Sequence, residues 1–309
     1  MKNRILITGI AGFLGSNLCS KLIEEGYDVY GVDNMSTGHI EFLPLYFNQN
    51  RLIISDFSDD IILNKIKNYH YDIVIHLAAM PRVLYSIECP YETNENNVSK
   101  TVKLLDACRG NVKRFINISS SSVYGNAEII PTPETTIHNP QSPYALQKSI
   151  IEKYCNLFST LYDMDTVSIR PFNIFGPNQM GDSAYATAVS AWFSAIKSGQ
   201  PLRSDGTGEQ TRDMVYVDNV VDLIIRCINY EKFRGEAFNA GTGFSVSNNE
   251  ILNWFKNNFM NCKIINAPAR IGDVMKTCAD ISLSQNVLEY TPIVNFWEGL
   301  ELTRKWTGI

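Results

Sequence analysis

Two short stretches carry the residue types needed to move a proton: ISSSSVYG at 118–125 and SPYALQKS at 142–149. The second places Tyr144 and Lys148 four apart at the start of a helical run, so both lie on one face. A phenol with an ordinary pKa of about 10 is a poor base at neutral pH. An ammonium beside it favours the phenolate, and a serine hydroxyl can bond the same substrate oxygen. One serine of the run, with Tyr144 and Lys148, could thus take a proton from an alcohol, provided another group accepts hydride from its carbon. A serine run is also ordinary loop composition, so the surrounding elements decide.

A hydride acceptor is suggested by TGIAGFLG at 8–15, where Gly9, Gly12 and Gly15 lie between a strand run and a helical run. That pattern gives a tight turn, close backbone approach to a pyrophosphate and close helix–strand packing. Asp33 ends the next strand run, where an acid binds a ribose 2′-hydroxyl and repels a 2′-phosphate, so NAD is expected rather than NADP. Asp56, closing the third strand run, is placed to contact the adenine edge. A positively charged nicotinamide ring would help the lysine favour the phenolate.

The elements around these residues alternate. RILIT (4–8), YDVYGVD (27–33), RLIISD (51–56), YDIVIHLAA (71–79), VKRFINISS (112–120) and TVSIRPFNIFG (166–176) are apolar runs of strand length. Helical stretches separate them, among them 12–26, 94–110 and about 142–162. This predicts a Rossmann-type α/β fold, a doubly wound parallel sheet covered on both faces. The expected division is a dinucleotide-binding domain over 1–170, with further segments from about 210–240, and a smaller C-terminal α/β substrate lobe over 171–309. The tail FWEGLELTRKW reads as a closing amphipathic helix.

Composition narrows the class. The 309 residues carry a net charge of −5, with no Lys/Arg block to neutralise nucleic-acid phosphates. An anionic ligand must therefore be held by a few placed arginines. The seven cysteines, at 19, 89, 108, 155, 227, 262 and 278, form no CxxC pair, and the four histidines are dispersed. No metal site is expected, and a reducing compartment is. With no apolar stretch of membrane-spanning length and a strand run at the N-terminus, a soluble cytoplasmic protein is the expectation.

The motifs TGIAGFLG, VDN (32–34), HLAA (76–79), SSSSVYG, SPYALQK, RPFNIFGP (170–177), EQTRDMVYVDN (209–219) and APARIGD (267–273) run through nearly the whole chain. Together they resemble the extended short-chain dehydrogenase/reductases of the nucleotide-sugar epimerase/dehydratase family, most nearly the UDP-galactose and UDP-N-acetylglucosamine 4-epimerase branch. The resemblance implies Ser120 as the catalytic hydroxyl, Tyr144 as the base and Lys148 as the group that binds the nicotinamide ribose and tunes the tyrosine. It implies further NAD contacts from Phe13, Leu14, Asn34 and Phe57. Leu77, Ala78, Ala79, Asn97 and Phe172 fall at NAD-lining positions too. Asn173 matches a sugar-nucleotide contact, Arg212 and Arg270 match two arginines on the diphosphate, and Asp273 matches an acid on the uridine ribose. Homodimerisation through helices at about 92–109 and 142–161, as a four-helix bundle, is implied as well.

The reaction expected is C4 epimerisation. Dehydratases and decarboxylases of this family carry acids after the catalytic Ser/Thr; here Ser121 and Ser122 stand there, with Ser122 also placed near the sugar. A residue four after the acid of RxGD gates the sugar pocket. It is Thr277, small enough for an N-acetyl group, so UDP-GlcNAc/UDP-GalNAc and the UDP-Glc/UDP-Gal pair are the expected substrates. Arg82, in AAMPRVLYS, lies near the sugar and could bind a C6 carboxylate, which keeps UDP-glucuronate as an alternative. Arg203 stands where an aromatic commonly stacks on uracil. Another nucleotide-sugar oxidoreductase or reductase is a further alternative. A non-catalytic dinucleotide sensor is disfavoured by the intact Ser120, Tyr144 and Lys148.

Overall fold

A computed structural model describes residues 2–181, 187–260, 262–268 and 274–309. The chain opens as β1 (Arg4–Thr8), α1 (Phe13–Glu24), β2 (Asp28–Asp33), β3 (Leu52–Ile54), α2 (Asp60–Lys67) and β4 (Ile73–His76). Short helices α3 (Val83–Glu88) and α4 (Pro90–Asn94) lead through a π-helical turn, Glu95–Ser99, into α5 (Lys100–Cys108). β5 (Arg114–Ile118), a 3₁₀ turn (Ser121–Tyr124), the long α6 (Pro143–Tyr162), β6 (Thr166–Pro171) and β7 (Asn173–Phe175) follow. The remainder runs α7 (Ala188–Lys197), β8 (Leu202–Asp205), β9 (Thr211–Arg212), β10 (Met214–Tyr216), α8 (Val217–Asn229) and β11 (Ala237–Ala240). It closes with β12 (Val246–Ser247), α9 (Asn248–Asn258), β13 (Ile264–Ala267), α10 (Ser282–Leu288) and α11 (Phe296–Thr307).

The apolar runs assemble as a seven-stranded parallel sheet ordered β11-β6-β5-β4-β1-β2-β3. Successive residues of a strand face opposite layers: Ile5 and Ile7 enter one core cluster, with Leu18 and Leu22 of α1 and Leu223 of α8. Leu6 enters the other, with Ile66 of α2, Leu104 of α5 and Ile151 of α6. Burial on both faces is why these strands read as continuous apolar runs. The chain runs outward from β1 through β2 and β3, then returns to the other side of β1 as β4. That reversal opens a crevice at the carboxyl ends of β1 and β4.

Two expected elements differ in form. The run 166–176 is two strands, because Pro171 offers no N–H and the chain changes partners there. β6 pairs with β5 and β11, whereas β7 pairs with β10 in a separate two-stranded sheet. The stretch 94–110 is not one regular helix; the π turn inserts an extra residue, which turns Asn96 and Asn97 to new directions. Two further small sheets, β9–β12 and β8–β13, lie among the later segments. Among the described residues no helix is long and apolar enough to cross a membrane, and no group of three or more His, Cys, Asp or Glu could hold a metal.

Candidate active site

The crevice is a cleft of ≈ 490 Å³ running from the glycine turn past the ends of β4 and β5. At one end the three glycines are required for different reasons. Gly9 has φ +74°, and a Cβ there would sit 2.9 Å from the Ala78 backbone nitrogen. A Cβ on Gly15 would run into the Gly9 carbonyl, so helix and strand pack only without one. Gly12 is different: its Cβ would meet protein only at the Gly9 carbonyl, 3.3 Å away, and it lines the cleft. Protein packing does not fill that space; a ligand laid on the start of α1 would. α1 begins at Gly12 with no side-chain cap, leaving its first-turn N–H groups for an anion.

Asp33, at the end of β2, is almost fully buried, and its two oxygens accept from Ala11 N (2.9 Å) and Met35 N (2.9 Å). The backbone fixes the carboxylate while leaving lone pairs for a ribose diol. Asn34, Phe42 and Phe57 line the same end of the cleft. Ser120 follows β5, three strand spacings or roughly 14 Å from the end of β2, a distance that suits a dinucleotide stretched across the crevice. Glycine cradle, open helix N-terminus and anchored acid together fit NAD.

At the other end the catalytic candidates converge. β5 stops at Ile118, and Ser120 caps the following 3₁₀ turn, its Oγ accepting from Ser122 N at 3.2 Å. α6 starts on a Ser142 cap, with Oγ accepting from Ala145 N at 3.2 Å and Pro143 in its first turn. That start fixes Tyr144 and Lys148 one turn apart, facing the cleft beside Ser119 and Ser120. The Lys148 Nζ donates to Ile118 O (2.7 Å) and lies 5.9 Å from the centroid of the Tyr144 ring. Burial pushes the Tyr144 phenol up to about 12, opposed by its hydrogen bond with Ser120. Burial pulls Lys148 down to about 8, opposed by the Glu152 carboxylate.

The sign of the lysine shift gives a first expectation. Lys148 carries its charge below a pH of about 8 and loses it above. A reaction that needs the ammonium should therefore hold at neutral pH and decline through about 8; a profile of kcat/KM against pH checks this. A flat profile to pH 10 would remove Lys148 from that role.

Ser120, Tyr144, Lys148, Gly9, Gly12, Phe13, Leu14, Gly15, Asp33, Asn34, Phe57, Leu77, Ala78, Ala79, Phe172 and Arg82 all line this one cleft. Two expected NAD contacts are off its wall. Asp56 is engaged by Lys100 at 2.5 Å and by Ser58. Asn97, thrown inward by the π turn, brackets the Met80 peptide, accepting from its N–H (2.7 Å) and donating to its carbonyl (3.2 Å). It thereby shapes the Ala79–Arg82 wall, and its neighbour Asn96 lines the cleft instead.

On the substrate side Asn173 donates to Asp213 O (3.1 Å) and Thr277 Oγ1 (3.4 Å), which brings the two expected sugar-site residues together. Arg212 is half-buried and donates to Thr211 O. Arg203 extends from β8 with its side chain mostly exposed, paired to Asp205 at 2.7 Å. Ser122 Oγ is buried with no hydrogen-bond partner among the described residues. Arg270 and Asp273 lie outside the described residues. The cleft also uses Ser36, Thr37, Phe42, Asn178 and Gln179, which no motif marked. Asn178 follows the RPFNIFGP motif directly, and its Nδ2 reaches Ser16 Oγ on α1 (3.0 Å).

Residues 5–241 match the NAD dependent epimerase/dehydratase family. The chain is 33% identical to a UDP-glucose 4-epimerase of Mycolicibacterium smegmatis, over 97% of each. Among solved structures it is similar to a UDP-N-acetylglucosamine 4-epimerase from Methanobrevibacter ruminantium, in complex with UDP-N-acetylmuramic acid (TM-score 0.92, 33% identity, 99% of this chain and 98% of that one). It is also similar to MoeE5 in complex with UDP-glucuronic acid and NAD (TM-score 0.87, 32% identity, 99% of each).

Proposed function

Since the chain belongs to the NAD-dependent epimerase/dehydratase family of nucleotide-sugar enzymes, with NAD as its cofactor, we propose that it interconverts a UDP-hexose or UDP-N-acetylhexosamine with its C4 epimer. One observation carries the choice of reaction. Among the described residues that line the cleft, the only carboxylate is Asp33, at the ribose end. Elimination of water from a sugar needs a group to remove the C5 proton and another to protonate the leaving oxygen. The positions after Ser120 offer only Ser121 and Ser122.

NAD, when bound, supplies one positive charge and a place for the C4 hydride to go and return from. The chain's own residues do the rest. Tyr144 takes the proton of the sugar 4-hydroxyl and later returns it, with Ser120 bonding the same oxygen. Lys148 lowers the cost of the phenolate through its charge. In this reading the residues to about 170, with those of about 210–240, hold NAD, and the remainder hold the sugar nucleotide. Asn173, Arg212, Arg270 and Asp273 are the proposed nucleotide-sugar contacts, and Thr277 leaves room for an N-acetyl group. Incubation with UDP-GlcNAc and UDP-Glc without added NAD, followed by NMR, should give the C4 epimers and no lasting NADH. A dehydrated 4-keto-6-deoxy product would overturn the proposal.

A second substrate reading, UDP-glucuronate, has support in Arg82. It lines the cleft, as Tyr144 does, at the start of α3, and Ser86 of that helix accepts from Tyr144 N at 3.1 Å. If the sugar carries a carboxylate, Arg82→Leu should lower kcat/KM for UDP-glucuronate by about 10- to 100-fold, the value of a charged hydrogen bond. The neutral sugars should change little, and equal loss for all would remove the reading.

The proposed partner is a second copy. Of the helices expected to form the bundle, at about 92–109 and 142–161, α6 exposes Leu146, Leu157 and Leu161, and Leu84, Ile87 and Tyr91 lie exposed on α3 and α4, which pack against it. Light scattering after size exclusion should give twice 34.9 kDa; a monomer would refute the dimer.

A further inference from the structure

Behind the catalytic lysine lies a buried carboxylate that the proposed chemistry does not use. Glu152 stands one helical turn beyond Lys148 on α6, on the same face, and only 7% of it is exposed. Its oxygens accept from Arg170 on β6 at 2.6 Å (Nη2) and 3.0 Å (Nε), and from the Ser119 hydroxyl. Ser119 follows Ile118, whose carbonyl holds the Lys148 ammonium. The lysine and the glutamate thus grip adjacent residues at the end of β5, one through the backbone and one through a side chain.

We propose that Glu152 is a positioning residue: clamped between Arg170 and Ser119, it holds the end of β5 against α6 and keeps the Lys148 ammonium charged in a site that would otherwise strip its proton. This rests on the epimerase reading for its functional consequence, though not for the geometry.

Two opposing effects set the charge of Lys148. Burying an ammonium disfavours its charge, and an opposite charge a turn away restores it. The other groups packed around this pair leave that balance to Glu152. His76, from β4, is held neutral by burial. Cys155, a turn further along α6, keeps its proton, its thiol raised to about 12 by burial. The Tyr124 phenol from the 3₁₀ turn and the Glu134 carboxyl from the loop before α6 are both raised by burial. His138 from the same loop is lowered by burial and touches Arg170 Nη2 at 2.8 Å. Tyr144 stays protonated to about 12. Of these histidines, the cysteine, the tyrosines and the lysine, only Lys148 changes charge between pH 7 and 10. Arg170 has its own further partners, Tyr124 Oη (2.7 Å) and Glu134 O (3.1 Å), which help hold it in place.

The test follows Lys148 directly, by NMR titration of protein labelled with ¹³C at the lysine ε-carbon, the signal assigned by its loss in Lys148→Met. Glu152→Gln should move the Lys148 midpoint to lower pH by about one unit or more. Because it leaves Arg170 unpaired and could unfold the chain, the double variant Glu152→Gln/Arg170→Met, which removes both buried charges, is titrated in parallel and should shift the same way. The alkaline limb of kcat/KM should follow, and Glu152→Asp should restore it. An unmoved midpoint in either folded variant overturns the proposal, whether or not the protein epimerises sugars. Failure of the parent reading would appear separately, as no C4 epimer from the wild type.

Discussion

Tyr144→Phe should lower turnover by roughly 10²–10⁴-fold, the range of a lost general acid–base contribution, with NAD still bound. The phenol is buried at the meeting of α6 and the 3₁₀ turn after β5, and its hydroxyl interacts with Ser120. Removing one oxygen leaves the ring and its packing in place, so thermal stability should move by only a few degrees. The expected signature is therefore a loss in kcat with cofactor content and Tm nearly unchanged. Retained turnover would remove Tyr144 from the base role, whatever the products. Burial by itself would keep the phenol protonated at neutral pH, so the reaction relies on nearby positive charge, of which Lys148 is the part the chain provides.

Gly12→Ala should separate cofactor binding from folding. A Cβ at Gly12 meets only one protein atom, the Gly9 carbonyl at 3.3 Å, and otherwise enters the cleft at the start of α1. The protein should fold with near wild-type Tm, whereas NAD affinity should fall by about 100-fold or more, roughly 3 kcal/mol. The same substitution at Gly15 would instead press on the Gly9 carbonyl and disturb the helix–strand packing itself. Fluorescence titration of NAD against both variants, beside their melting curves, distinguishes the two kinds of glycine. Wild-type NAD affinity in Gly12→Ala would contradict the pyrophosphate placement.

The parts of this account that were legible in the sequence are those written in consecutive residues. The strand runs that are buried on both faces announce themselves by unbroken apolar character, and the glycine turn, Asp33, Ser120, Tyr144 and Lys148 lie in short motifs at strand ends and a helix start. What was not legible depends on tertiary pairing. The ion pair of Asp56 with Lys100, from another helix, cannot be read from either stretch alone. The bonds of Asn97, on the π turn, to the Met80 peptide are likewise invisible in the sequence. Phe42 lines the cleft from a segment without motif, held by Leu43 and Phe47 in the core. Glu152 looks like any helical glutamate, because nothing local says that Arg170 and Ser119 close around it.

In the proposed reaction hydride leaves C4 and returns to the same carbon while the sugar stays bound. UDP-glucose or UDP-N-acetylglucosamine carrying deuterium at C4, turned over in ordinary water without added NAD, tests it most directly. The C4 epimer should keep its deuterium at C4, with none released to solvent. Product carrying hydrogen from water at C4, or a dehydrated sugar in place of the epimer, would contradict it.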